Sequence, residues 1–144
     1  GEDHLESLIN EAHRCRDQGF STLKVRIGFG PDRDDLILAA VRKTVGHDIA
    51  IATDATLAYD VETALAVGHR LMAHDILWYE EPVPADEIIG YRRLREELPV
   101  AIAGAEGRSG LASFREVIMP PAMDIIQPDI GRDEKEFRTQ PWPL

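Results

Sequence analysis

Short apolar runs with alternating side chains recur five times along the chain, with stretches of helical period between them. That alternation limits the fold more than any other feature. The runs are Thr22 to Ile27, Ile49 to Asp54, Ile76 to Glu81, Val100 to Glu106 and Asp124 to Asp129. Helices are predicted between them at Asp32 to Val45, Asp60 to Ala73, Asp86 to Leu98 and Ser109 to Ile118. An opening helix carries the stripe Leu5, Leu8, Ile9, Ala12 and Cys15 and stops at Gly19, and Asp60 is placed to cap the third helix. Units repeating at steps of about 23 to 30 residues indicate parallel strands joined by right-handed helical crossovers. Two architectures meet that description, an open doubly wound sheet and a (β/α) barrel or part of one. No glycine fingerprint for a nucleotide follows any strand, because Gly28-Phe29-Gly30-Pro31 lacks both the third glycine and a Lys-Ser/Thr end.

The strand ends favour the barrel. Alternation turns Lys24 and Arg26, then Asp54, Glu80, Glu106 and Asp129 toward the face that a barrel directs inward. In Ile76-Leu77-Trp78-Tyr79-Glu80-Glu81-Pro82, the residues Ile76, Trp78 and Glu80 share that face, Tyr79 and Glu81 point away, and Pro82 ends the pairing. A single acid at a strand end is ordinarily a solvated loop residue. Three in phase on successive strands repel one another unless a cation lies among them, so Asp54, Glu80 and Glu106 form a candidate oxygen-ligand site for Mg²⁺ or a similar hard ion. The expected class is therefore α/β, with parallel (β/α) units from a partial TIM-type barrel of about five strands. It covers residues 1–131, and an irregular tail with neither period follows over residues 132–144.

Composition narrows the partners. The 144 residues suffice for one domain with a real core, and a net charge of -10 argues against nucleic acid, whose phosphates need clustered Lys and Arg. No apolar run approaches the length of a membrane span and no leader opens the chain, so the expectation is a cytoplasmic protein with no membrane partner. Cys15, the single cysteine, leaves no internal disulfide and no cysteine-based zinc site. His4, His13, His69 and His74 fall in predicted helices, and His47 falls at a helix-to-strand turn on the rim opposite the carboxylates. All five are expected on the surface or in helix packing. The run from Arg92 to Glu97 reads as a solvated helix face with intrahelical pairs, and Pro120-Pro121 and Trp142 as loop or tail features.

Taken in order, Lys24-Val25-Arg26, Asp54-Ala55-Thr56, Trp78-Tyr79-Glu80-Glu81-Pro82, Ala103-Gly104-Ala105-Glu106 and Gln127-Pro128-Asp129 carry a family resemblance. Each is weak alone; five in order with fitting spacing are specific. From about Gly19 to Gly131 the chain resembles the mandelate racemase and muconate lactonizing enzyme group of the enolase superfamily. The resemblance implies that Asp54, Glu80 and Glu106 bind a catalytic Mg²⁺ on the third, fourth and fifth strands of a C-terminal barrel domain. It implies that Lys24, the first lysine of a Lys-x-Lys motif, polarises a substrate carboxylate. Arg26 occupies the place of the second lysine, the usual general base, and Asp129 matches the aspartate that orients a histidine on the next strand. The implied substrate is a small carboxylate, a hydroxy acid or sugar acid. Its α-proton leaves through an enediolate, giving dehydration, racemisation or epimerisation. A carbon beside a carboxylate is a very weak acid, and concentrated positive charge is what makes its anion accessible.

Three departures bear on that implication. Arg26 stays protonated and is a poor base, which suits a one-base dehydration better than a two-base racemisation. Thr56 stands where the family commonly has Asn. The resemblance stops just after Asp129, so the strand bearing the histidine, the last strand and the N-terminal capping domain are expected to be missing. The alternative is a non-catalytic fragment that keeps the ligand residues without the chemistry. A partial barrel leaves unpaired edges and apolar interior, so a homo-oligomer, or helices and tail rearranged over the edges, is expected.

Overall fold

The computed structural model describes residues 2–129, and the expected tail over residues 132–144 lies outside them. Helices and strands alternate as α1 (Glu2–Asp17), β1 (Thr22–Arg26), α2 (Pro31–Val45), β2 (Ala50–Asp54), α3 (Val61–Leu71), β3 (Ile76–Glu80), α4 (Ile88–Glu97), β4 (Ala101–Gly104), α5 (Leu111–Ile118) and β5 (Ile125–Ile126). A short 3-10 turn at Met72–His74 links α3 to β3. The strands form one parallel sheet in the order β1-β2-β3-β4-β5. Sequential order with a helix at each crossover is the winding of a barrel. A doubly wound sheet reverses its order part-way.

The sheet's two faces follow from the period-2 pattern. Val25, Ile51, Tyr79 and Ile102 point to the helices and join Ile37, Leu38, Val41, Val67 and Leu94 in one core. Burying each such side chain contributes about 1.5–3 kcal/mol. The helices stack in sequence, α1 on α2, α2 on α3 and α3 on α4. The other face carries Lys24 beside Ala52, Arg26 beside Asp54, Asp54 beside Glu80, and Glu80 beside Ala103. At the opposite end of the strands the buried Arg42 donates to the carbonyls of Gly46, Ile49, His74 and Asp75, tying α2 to the starts of β2 and β3. His74 is buried with Nε2 2.7 Å from Asp35 Oδ1, in helix packing as expected.

Local details depart from the sequence reading in three places. Ile51 partners Ile76 while Thr53 partners Tyr79, so β3 holds one extra residue. This bulge puts Ile76 on the helix side, away from Glu80. β4 ends at Gly104 rather than at Glu106, because Ala105 takes φ +79° and starts a turn. β5 is confined to Ile125–Ile126; Asp124 instead caps β4, its carboxylate accepting the Ile102 N–H at 2.9 Å, and Pro128 has no N–H for the ladder. Asp60 caps α3 as expected, accepting from the Thr63 N–H at 2.7 Å. Among the described residues no helix is long and apolar enough to cross a membrane.

Candidate active site at the strand ends

Lys24 lies on β1 and Glu80 on β3, with β2 between them. At this level β2 presents only Ala52, so the lysine stem passes over it and Nζ reaches Glu80 Oε1 at 2.9 Å. The same ammonium is 3.7 Å from Asp54 Oδ2, and Arg26 Nη2 is 3.6 Å from that oxygen. Lys24, Arg26, Asp54 and Glu80 thus form one charged network at the C-terminal ends of three neighbouring strands.

Glu80 is its centre. With a side chain only 3% exposed, it accepts from Lys24 on one oxygen and from Trp78 Nε1 and Gln127 Nε2, both at 3.1 Å, on the other. Burial pushes its carboxyl up, but the hydrogen bonds from Lys24, Gln127 and Trp78 and the Lys24 charge outweigh that effect and hold it below the ordinary range. Lys24 is raised in turn, by the hydrogen bond to Glu80 and the charges of Glu80, Asp54 and Glu106, against partial burial. Asp54 Oδ1 accepts the Thr56 backbone N–H at 2.9 Å and its hydroxyl at 3.1 Å, so Thr56, shorter than Asn, still holds the carboxylate.

Glu106 and Glu81 are placed less simply. Glu106 is exposed on the turn after β4, which the Arg108 N–H closes onto the Ala105 carbonyl at 3.1 Å. Glu81 takes φ +44°, so the regular strand period ends at Glu80. It is buried near the other acids. Burial and the charges of Glu106, Asp54 and Glu80 raise its carboxyl, and the Glu106 backbone N–H partly offsets them. Left-handed backbone at Thr56, Leu57, Glu81 and Ala105 collects just past β2, β3 and β4. Such residues cost of order 1 kcal/mol each and are typical of functional rims. Asp129 lies half-buried past β5, where Gln127 continues the ladder to the Gly104 carbonyl at 2.9 Å.

The structure brings Lys24, Arg26, Asp54 and Glu80 together and leaves Glu106 exposed on the turn beyond them. The sequence reading missed Trp78 and Gln127 as donors to Glu80, although Trp78 stands two residues from Glu80 on the same face, a spacing that signals it. Asp54, Glu80, Glu81 and Glu106 outnumber Lys24 and Arg26 at this rim, and carboxylate oxygens suit a hard divalent cation in chemistry and charge. Among the described residues, however, no three of His, Cys, Asp or Glu gather around one point. Lys24 bridges the two carboxylates that would share the ion, and Glu106 would have to turn in.

The family model described as Enolase C-terminal domain-like matches residues 7–134. Arabinonate dehydratase of Saccharolobus solfataricus is 39% identical over 127 residues, 88% of this chain and 34% of that protein. The crystal structure of 3,6-anhydro-D-galactonate cycloisomerase from Zobellia galactanivorans superposes with TM-score 0.86 at 34% identity, covering 88% of this chain and 36% of the other. L-Talarate dehydratase from Polaromonas, solved with Mg and L-glucarate, superposes with TM-score 0.85 at 25% identity, covering 90% and 36%. The chain spans about a third of the length of these relatives.

Proposed function

The chain belongs to the Enolase C-terminal domain-like family, and on that premise we propose that it serves Mg²⁺-dependent removal of the proton beside a substrate carboxylate. The observation that carries this reading is the Lys24–Glu80–Asp54 network at adjacent strand ends, an acid-rich rim with a protonated lysine in its midst. Asp54, Glu80 and Glu106 would hold the ion, which when bound supplies the positive charge that makes a carbanion beside a carboxylate accessible. Lys24 stays protonated and donates to the substrate carboxylate. Arg26, with a side chain 57% exposed at the rim, keeps its charge and binds the anionic substrate rather than removing a proton. That favours a one-base dehydration over a two-base racemisation. Asp129 would orient a histidine base on the strand that follows, the group that would accept the proton, as the family resemblance implies. Arabinonate and L-glucarate, named with the relatives above, make sugar acids the favoured substrate class, with hydroxy acids the next.

The test is solvent exchange. The chain is incubated with five- and six-carbon aldonic and aldaric acids in D₂O with Mg²⁺, and deuterium at the carbon beside the carboxylate is read by NMR. Incorporation that Glu80→Gln abolishes supports the reading; no exchange at Mg²⁺ levels that calorimetry shows to be saturating contradicts it for this chain. The second outcome would favour a non-catalytic role, a reading that His74 supports, since it is engaged by Asp35 and not at the acid rim.

A further inference from the structure

Arg108 has no part in the steps above, yet its side chain is only 9% exposed and lies two residues from Glu106. Glu106 and Gly107 form the corner of the turn that the Arg108 N–H closes onto the Ala105 carbonyl. The arginine's fork fastens that turn on two sides. Nη2 donates to the Ala85 carbonyl at 2.6 Å, in the loop that follows Glu80 and Glu81. Nη1 donates to the Ser113 carbonyl at 3.2 Å, its hydroxyl at 3.1 Å and Glu116 Oε2 at 3.4 Å, all on α5. Nε is buried without a partner. A buried N–H left unpaired costs about 1–3 kcal/mol, which the four contacts of the fork offset.

We propose that Arg108 is a positioning residue, fixing the Glu106 turn against the loop after β3 so that the third carboxylate stands at a set distance from Glu80. The inference rests on the reading of Glu106 as a cation ligand. The planar fork is what allows one side chain to hold Ala85 and Ser113 at once, and a lysine, a single point of charge, holds only one of them. The Glu106 N–H facing Glu81 adds a second tie from the same loop.

The experiment is calorimetric titration with Mg²⁺ alone, beside thermal melting, for the chain, Arg108→Lys and Arg42→Lys. Arg42 is an equally buried arginine clamping the other end of the sheet, so it reports what a purely structural loss does. Arg108→Lys is expected to weaken Mg²⁺ binding by roughly tenfold, the usual scale for a residue behind a ligand. Arg42→Lys lowers the melting temperature at least as much and leaves the affinity within about twofold. Equal affinity losses in both variants, or none in Arg108→Lys, would overturn the inference. Should Arg108→Lys fail to melt cooperatively, Ser113→Ala removes only one acceptor and is expected to weaken binding in the same direction; unchanged affinity there overturns it as well. A starting chain that binds no Mg²⁺ overturns the cation reading itself, and is a distinct result.

Discussion

Lys24 is the residue on which the candidate site turns, because its ammonium stands between Asp54 and Glu80, two of the three carboxylates proposed to hold a divalent ion. Lys24→Gln removes a charge-assisted hydrogen bond from a buried carboxylate, and urea unfolding without Mg²⁺ should show a loss of about 2 kcal/mol. Calorimetry should show tighter Mg²⁺ binding in the same variant, since a competing positive charge is gone. Glu81 makes a pH prediction of opposite sense to an ordinary salt-bridged acid. Its carboxyl is raised by burial and by the charges of Glu106, Asp54 and Glu80, so its stabilising contribution is complete below the ordinary carboxylate range and is lost as pH rises through its raised value. Melting temperatures should therefore be higher for Glu81→Gln than for the parent at neutral pH, and converge below about pH 4. Lys24, Arg26, Asp54 and Glu80 were legible in the sequence because all lie on regular strand and obey its period. Glu81 was not, because its left-handed φ takes it out of the strand's period.

Elements were legible where their signals are local. The Asp60 cap and the helix that follows it could be read directly, and the structure has both. Hydrogen bonds from the Thr63 backbone and side chain hold the Asp60 carboxyl below its usual value. Its contribution is present above the ordinary carboxylate range and is lost as pH falls through the depressed value. Thermal melts followed from neutral to acid pH should show Asp60→Ala less stable at neutral pH, with the difference shrinking in acid. The bulge in β3 and the early end of β4 were not legible. Register is fixed by neighbouring strands, and the turn at Ala105 depends on a left-handed backbone that an alanine does not announce.

At the scale of the molecule, the sequential strand order and the helices packed behind it follow from repeated crossovers, and the rim of charges follows from strands that all run one way. Within the described residues β1 and β5 each have one strand neighbour, and Lys24 and Arg26 stand on a face that no helix covers. The chain by itself is expected to self-associate through these edges; a monomer in light scattering that still melts cooperatively would contradict that. The proposed chemistry requires above all that the strand-end carboxylates act as one cation site. Titration of the chain with Mg²⁺ by calorimetry, beside Glu80→Gln, tests this most directly. Saturable binding that disappears in Glu80→Gln is the predicted result, and no binding in the parent chain, or equal binding in both, would contradict it.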